Sequence, residues 1–121
     1  MATSIGPANA QAIIRAFADA QTYTQDEPGQ ARFALLLPKD AVPGLQIGLV
    51  ELVGPIHKTP AAHDTWEQVY LILEGSGTIH LSGRAERVEG EAMVVIPKNT
   101  MHSVELREGE HIRYVYINQY H

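Results

Sequence analysis

From residue 31 onward, apolar and polar residues alternate in short runs bounded by Pro, Gly or Asn: "ARFALLLP", "LQIGLVELVG", "EQVYLILEG", "GTIHLSG", "ERVEG", "AMVVIP", "HSVELREG" and "HIRYVYINQY". A period of two with β-branched and aromatic residues marks strands, and the intervening breakers mark tight turns. Eight such segments without alternating helical patterns predict an all-β sandwich or barrel of antiparallel strands, not a parallel α/β sheet. The first segment differs. In "PANAQAIIRAFADAQ", residues 7–21, Ala10, Ile13, Ile14 and Phe17 recur at helical spacing and Pro7 stands where a first-turn proline would. This predicts a short amphipathic helix, followed by polar text with "DEPG" as a turn. The expected organisation is an N-terminal helical arm over residues 1–30 and a barrel over 31–121, within one globular domain.

Composition narrows the picture. The chain has 121 residues, enough for one core without disulfides or structural metal. A net charge of −5, with nine basic residues scattered rather than clustered, argues against nucleic acid as a partner. There are no cysteines, which removes disulfides and thiolate ligands from consideration and suits a reducing compartment. No apolar run approaches the ~18 residues of a spanning helix, and the first residues lack the basic start and apolar stretch of a leader. A cytoplasmic protein without a membrane partner is expected.

Candidate chemistry concentrates in two stretches. "HDTWEQVYLILEG" places His63, Gln68 and Gly75 in order, with four and then six residues between them. "GEAMVVIPKNTMH" supplies Gly90, Pro97 and His102. On a strand alternate residues share a face, so positions 61 and 63 point together, as do Gln68, Tyr70 and Ile72. Asn99 lies in the "PKNT" turn, where its tolerance of the left-handed conformation suits it to a glycine-like role.

These two stretches resemble the two motifs of small single-domain cupins, roughly G-x5-H-x-H-x3,4-E-x6-G and G-x5-P-x-G-x2-H-x3-N. The resemblance covers about residues 33–118 and implies a double-stranded β-helix, the jelly-roll barrel. It also implies a divalent metal (Fe, Mn, Ni, Zn or Cu) held by His63, Gln68 and His102, with His57 or Tyr70 moving a proton. The departures bear on that chemistry. Ala61 replaces the first histidine, Gln68 replaces the carboxylate, Leu106 replaces Asn, and the Gly90–Pro97 spacing is one residue longer. A His/Gln/His set is less basic than the usual shell. His57 shares parity with Ala61 and His63, but four extended residues span ~13 Å, so only a sharp bend at Pro60 would bring it in. Glu67 becomes the ligand in place of Gln68 if the strand register slips by one.

Two readings of function stand. In the first, the metal acts on a small oxygen-rich metabolite, a keto acid or sugar derivative, in isomerase or lyase chemistry, with dioxygenase chemistry ranked lower. In the second, the pocket is metal-free or weakly metal-binding and holds a small ligand as a sensor or accessory module. Trp66 is placed before the strand, at the pocket entrance or a subunit contact, and His80 faces away from the core. In "HIRYVYINQY", Ile112, Tyr114 and Tyr116 share one face and Val115 and Ile117 the other. A strand apolar on both faces must be covered twice, by the arm or by a second copy, and a homodimer is expected.

Overall fold

Each apolar–polar alternation becomes a strand whose apolar face turns inward, and the strands pair antiparallel throughout. The computed structural model describes residues 12–23 and 30–120. Among the described residues nine strands run β1 (Gln21–Tyr23), β2 (Ala31–Val42), β3 (Leu45–Val53), β4 (Ile56–His57), β5 (Trp66–Leu81), β6 (Arg84–Glu89), β7 (Ala92–Ile96), β8 (His102–Leu106) and β9 (His111–Tyr120). Their order is β1-β2-β3-β9-β5-β8-β4, with β6 and β7 also paired to β5. The result is a curled jelly-roll barrel.

Strand β5 holds the barrel together. The two runs at 67–75 and 77–83 merge into one strand of 16 residues, Trp66–Leu81, that belongs to both sheets, with Ser82 and Gly83 in the turn after it. Its first half pairs with β9 and β7, and its second half pairs with β6 and β8. The switch falls at Gly75, where φ is +94° and a Cβ would collide with the His111 carbonyl oxygen. Only glycine accepts both conditions, so the chain turns from one sheet into the other there.

The interior is lined by Val50, Leu52, Ile72, Ile79, Ile96, Leu106 and Ile112, which lie together in the main cluster. Within β5, Gln68, Tyr70 and Ile72 are buried on one face as their shared parity predicts. A second, smaller cluster of Ala20, Ala34, Leu49 and Val115 lies on the other face of the β2-β3-β9 sheet. Both faces of β9 are therefore covered. Ala20 comes from the N-terminal segment, so part of this cover is intramolecular. Farther along the same outer surface Leu71, Met93 and Val95 remain 38%, 65% and 51% exposed.

The N-terminal segment differs from its predicted helix. Residues 7–11 lie outside the described residues. Beyond them the chain forms only a single 3-10 turn, Phe17–Asp19, and then β1, which pairs with β2 at Tyr23↔Phe33. The turn carries no side-chain cap, and the residue on either side of it is extended. Sheet pairing supplies Gln21 and Tyr23 with partners that an isolated short helix lacks. No helix among the described residues is long and apolar enough to cross a membrane.

Candidate functional site: an aromatic pocket beside a histidine pair

Strands β1, β2, β3, β5 and β9 turn one residue in two toward a cavity of about 570 Å³. All five tyrosines of the chain, Trp66 and Phe33 line it, leaving Phe17 as the one aromatic residue elsewhere. Among the described residues no Asp, Glu, Lys or Arg is in its lining. The polar groups are amides, hydroxyls and the imidazole of His63. Volume and lining fall in the range of small-molecule sites, where apolar walls carry a few placed polar groups.

Each wall has a local cause. Gly48 stands opposite Tyr116 in the β3–β9 register, and a Cβ there would collide with the Tyr116 ring. The missing side chain lets that ring lie across β3 into the cavity. Its hydroxyl shares a hydrogen bond of 2.8 Å with that of Tyr23, which ties β1 to the wall. Tyr70 and Tyr114 pack with ring centroids 4.5 Å apart. Burial pushes the Tyr70 hydroxyl up to about 12, partly offset by a hydrogen bond from Tyr114, whose own hydroxyl burial raises well above the usual range. Burial also raises Tyr116. These phenols stay protonated at neutral pH and act as neutral donors and acceptors.

At one end of the cavity a chain of amides is ordered. Gln68 donates from Nε2 to Asn118 Oδ1 at 2.8 Å, Asn118 donates from Nδ2 to Gln46 Oε1 at 3.2 Å, and the Tyr120 hydroxyl donates to the same Gln46 oxygen at 2.8 Å. Gln68 Oε1 and Trp66 Nε1 are buried and have no protein partner. Such groups are costly in isolation and mark where a bound molecule or water completes the hydrogen bonding. Gln46, Asn118 and Tyr120 were not singled out in the sequence. The parity of Asn118 with Tyr114 and Tyr116 was the available signal.

His63 lies in the loop before β5. Its carbonyl accepts from the Asn99 backbone N–H at 2.7 Å, and Asn99 itself has φ of +62°, the left-handed conformation its glycine-like position called for. The His63 ring stacks on Trp66 at 4.2 Å and meets His102 edge-on at 4.9 Å. Burial, and then His102, lowers the His63 pKa, with Asp64 opposing. His102 is buried and donates from Nδ1 to the Thr100 carbonyl at 2.9 Å, leaving Nε2 as the ring atom for a ligand. This outer hydrogen bond is the kind that orients metal-bound histidines.

Ala61 sits beside His102. Their backbones exchange two hydrogen bonds, 3.0 and 2.9 Å, in an isolated antiparallel bridge. Together they line a second cavity of about 240 Å³, which meets the larger one at Phe33, Tyr70 and Tyr114. His63, Gln68, Tyr70 and His102 thus come together around the two cavities. His57 does not. It is exposed, stacks on His80 at 6.1 Å and lies 3.9 Å from Glu105, outside both cavity linings. Gln68, not Glu67, lines the pocket, so the strand keeps the register set by Gly75. Trp66 opens β5 and lines the cavity.

A metal would find two imidazoles and one amide oxygen here. Among the described residues no group of three or more His, Cys, Asp or Glu is placed to hold an ion. Without an anionic ligand the donor set fits a tightly held divalent metal poorly.

Residues 54–119 match the model of the AraC-like ligand binding domain. No curated protein sequence matches significantly. Among solved structures, a predicted oxalate decarboxylase from Thermotoga maritima superposes with TM-score 0.80 at 16% identity, covering 90% of this chain and 100% of that one. The polyketide cyclase RemF from Streptomyces resistomycificus gives 0.75 at 22% identity, covering 90% and 80%. The cupin domain of Cnp3 from Schizosaccharomyces pombe gives 0.75 at 16%, covering 90% and 74%. At these identities the likeness is one of fold, and the fold is that of a small cupin. With the family model spanning more than half of its length, the chain belongs to the AraC-like ligand-binding domains, built on a cupin barrel.

Proposed function

We propose that this protein binds a small organic molecule whose planar, uncharged body lies among the tyrosines of the larger cavity. The supporting observation is the lining itself: seven of the chain's eight aromatic residues and, among the described residues, no ionic side chain. Aromatic walls favour flat, conjugated ligands through stacking and area burial. Gln68 Oε1 and Trp66 Nε1 would meet a donor and an acceptor on its edge. A sugar would find aromatic platforms and amides but, among the described residues, none of the carboxylate and arginine groups that help to bind its many hydroxyls. Calorimetric titration tests this with 2-naphthol as the flat probe and glucose as the polar one. Naphthol should bind, and Tyr116→Leu should weaken it about tenfold. Glucose binding with no response to naphthol would sink the reading.

The second reading is a divalent metal held by His63, Gln68 and His102, favoured by the Nδ1 bond that fixes His102. A metal there would polarise a carbonyl and support isomerase or lyase chemistry on a keto acid or sugar derivative. In that reading Tyr70, kept protonated by burial, is a proton donor, and His57 would have to act from outside the cavity lining. Metal content per chain decides between the readings. A near-stoichiometric ion that His102→Ala removes and His80→Ala leaves would support the metal. Ala61→His should then tighten it, because its imidazole would stand beside His102.

The exposed Leu71, Met93 and Val95 support a homodimer through the outer face of β5 and β7. A dilution series in light scattering showing monomer throughout would remove it.

A further inference from the structure

The two buried groups of the larger cavity that have no protein partner are of opposite kinds. Gln68 Oε1 can only accept, and the Trp66 Nε1–H can only donate. Both side chains line the cavity, two residues apart on one face of β5. Each is held in its direction by its neighbours. The Trp66 ring packs against the ring of His63 at 4.2 Å and that of Tyr120 at 5.0 Å. Gln68 is 9% exposed, and its Nε2 is committed to Asn118 Oδ1 at 2.8 Å. Asn118 in turn gives its Nδ2 to Gln46 Oε1, which also takes the Tyr120 hydroxyl. Amides in a row pass their polarity along, so this relay leaves Gln68 an oxygen to present and not an N–H.

We propose that the ligand is a cyclic amide, a flat heterocycle whose lactam edge gives its N–H to Gln68 Oε1 and takes the Trp66 Nε1–H on its carbonyl. The proposal rests on the binding reading above and names the chemical class of the ligand. A lactam carries donor and acceptor side by side on one edge, in fixed directions and without charge. It satisfies both orphaned groups at once, where leaving either buried and unpaired costs about tenfold in affinity. Other flat groups fit less well. A phenol has one oxygen for two partners. A carboxylic acid is ionised at neutral pH, and among the described residues no Lys or Arg stands in the lining to receive it. An aminopyridine edge has donor and acceptor in order but takes up a proton readily. Among the described residues the lining holds no carboxylate for that cation.

The test is calorimetric, at neutral pH, with 2-quinolone, 1-methyl-2-quinolone and 2-naphthol. All are flat, bicyclic and uncharged; the two quinolones share the amide carbonyl, and only the first has the N–H. Quinolone should bind about tenfold more tightly than its N-methyl form, which leaves Gln68 Oε1 without a donor. Gln68→Met, similar in length but without the amide, should bring the two quinolones within about twofold. A steric cost of the methyl group would survive that change, and a lost hydrogen bond does not. Trp66→Phe should weaken quinolone about tenfold and leave its advantage over the N-methyl form in place. The infrared carbonyl stretch of bound quinolone should move to lower wavenumber than in an apolar solvent, which checks the Trp66 bond without any variant. Equal binding of the two quinolones by the unaltered protein, with naphthol bound, would overturn the lactam and leave the aromatic pocket standing. A preference that persists in Gln68→Met, full quinolone affinity in Trp66→Phe, or an unmoved carbonyl stretch would each overturn the proposal. Binding of none of the three probes would overturn the pocket reading and the lactam with it.

Discussion

Two histidine pairs stand around the same strands in opposite circumstances. His63 and His102 meet edge-on at 4.9 Å, with aromatic rings and amides around them. His57 and His80 stack at 6.1 Å on the outer surface, and both approach Glu105. Outside, the His80 Nε2–H donates to the carboxylate at 2.7 Å, and this bond, with the charges of His57, His80 and Arg107, lowers the Glu105 pKa. Inside, burial and the neighbouring imidazole hold His63 down. The same residue type thus pairs with a carboxylate on one side and packs among rings and amides on the other. The difference is the carboxylate, which the cavity linings lack among the described residues. A site that lowers the His63 pKa favours a ring nitrogen lone pair there for hydrogen bonding or ligation.

The sharpest way to break this inside–outside contrast lies on β5 itself. Ile79 is fully buried and His80, its neighbour, faces out. Ile79→Ala should cost about 2–5 kcal/mol in chemical denaturation, whereas His80→Ala should leave the midpoint almost where it was. A comparable loss from both would mean that the outer cluster matters to the fold. Next in size is Asn118→Leu. It removes the acceptor for Gln68 Nε2 and the donor to Gln46, and should cost about 1–3 kcal/mol. Naphthol affinity should fall with it, since the amide that sets the pocket edge loses its orientation.

Protonation separates the two pairs more finely. The folded-state pKa of His63 lies below the unfolded value of 6.5, so the stability it contributes is present above that pH. That stability is lost as pH falls through the lowered pKa. Thermal melts should therefore show a loss below pH 6.5 that His63→Gln flattens, and the His63 ring protons should titrate below the ordinary range in NMR. A His63 that titrates above 6.5 would place a negative charge nearer to it than the structure does. The smallest effect belongs to Glu105. Its lowered pKa means that its contribution holds above 4.5 and disappears as pH falls through the folded value. Glu105→Gln should leave the melting temperature near neutrality little changed and alter only the acid limb of the curve, as expected for surface pairs.

Much of the barrel was legible before any coordinates. Alternation set the strands from Ala31 to Tyr120, and parity placed Gln68, Tyr70 and Ile72 on one face because a strand's side chains repeat every two residues. Gly75 gave the register that put Gln68 inside, and Asn99 announced its left-handed turn. Two runs that read as separate strands proved to be the single bent β5, since a glycine in a strand looks like a turn until its partners on both sides are known. The segment before Tyr23 misled for a related reason. Its alanines and isoleucines carry helical spacing, but helix propensity is weak over so short a stretch, and the edge of β2 offered backbone partners that no local pattern records.

Chemistry at the site divides the same way. Residue types at 61, 63, 68 and 102 pointed to a donor set without a carboxylate, with Glu67 as the alternative until the register of β5 placed Gln68 in the lining. Which groups share a space is not local. Gln46, Asn118 and Tyr120 meet across 72 and 74 positions of sequence, and Lys58 joins Ser103 around the gap at Ala61, only because the sheets curl. His57 kept its parity with Ala61 and His63 and still ended outside, since strand parity predicts a face only while the chain stays extended, and beyond β4 it does not. Tertiary closure alone decided that Tyr23 and Tyr70 join Tyr114, Tyr116 and Tyr120 of β9 around one cavity.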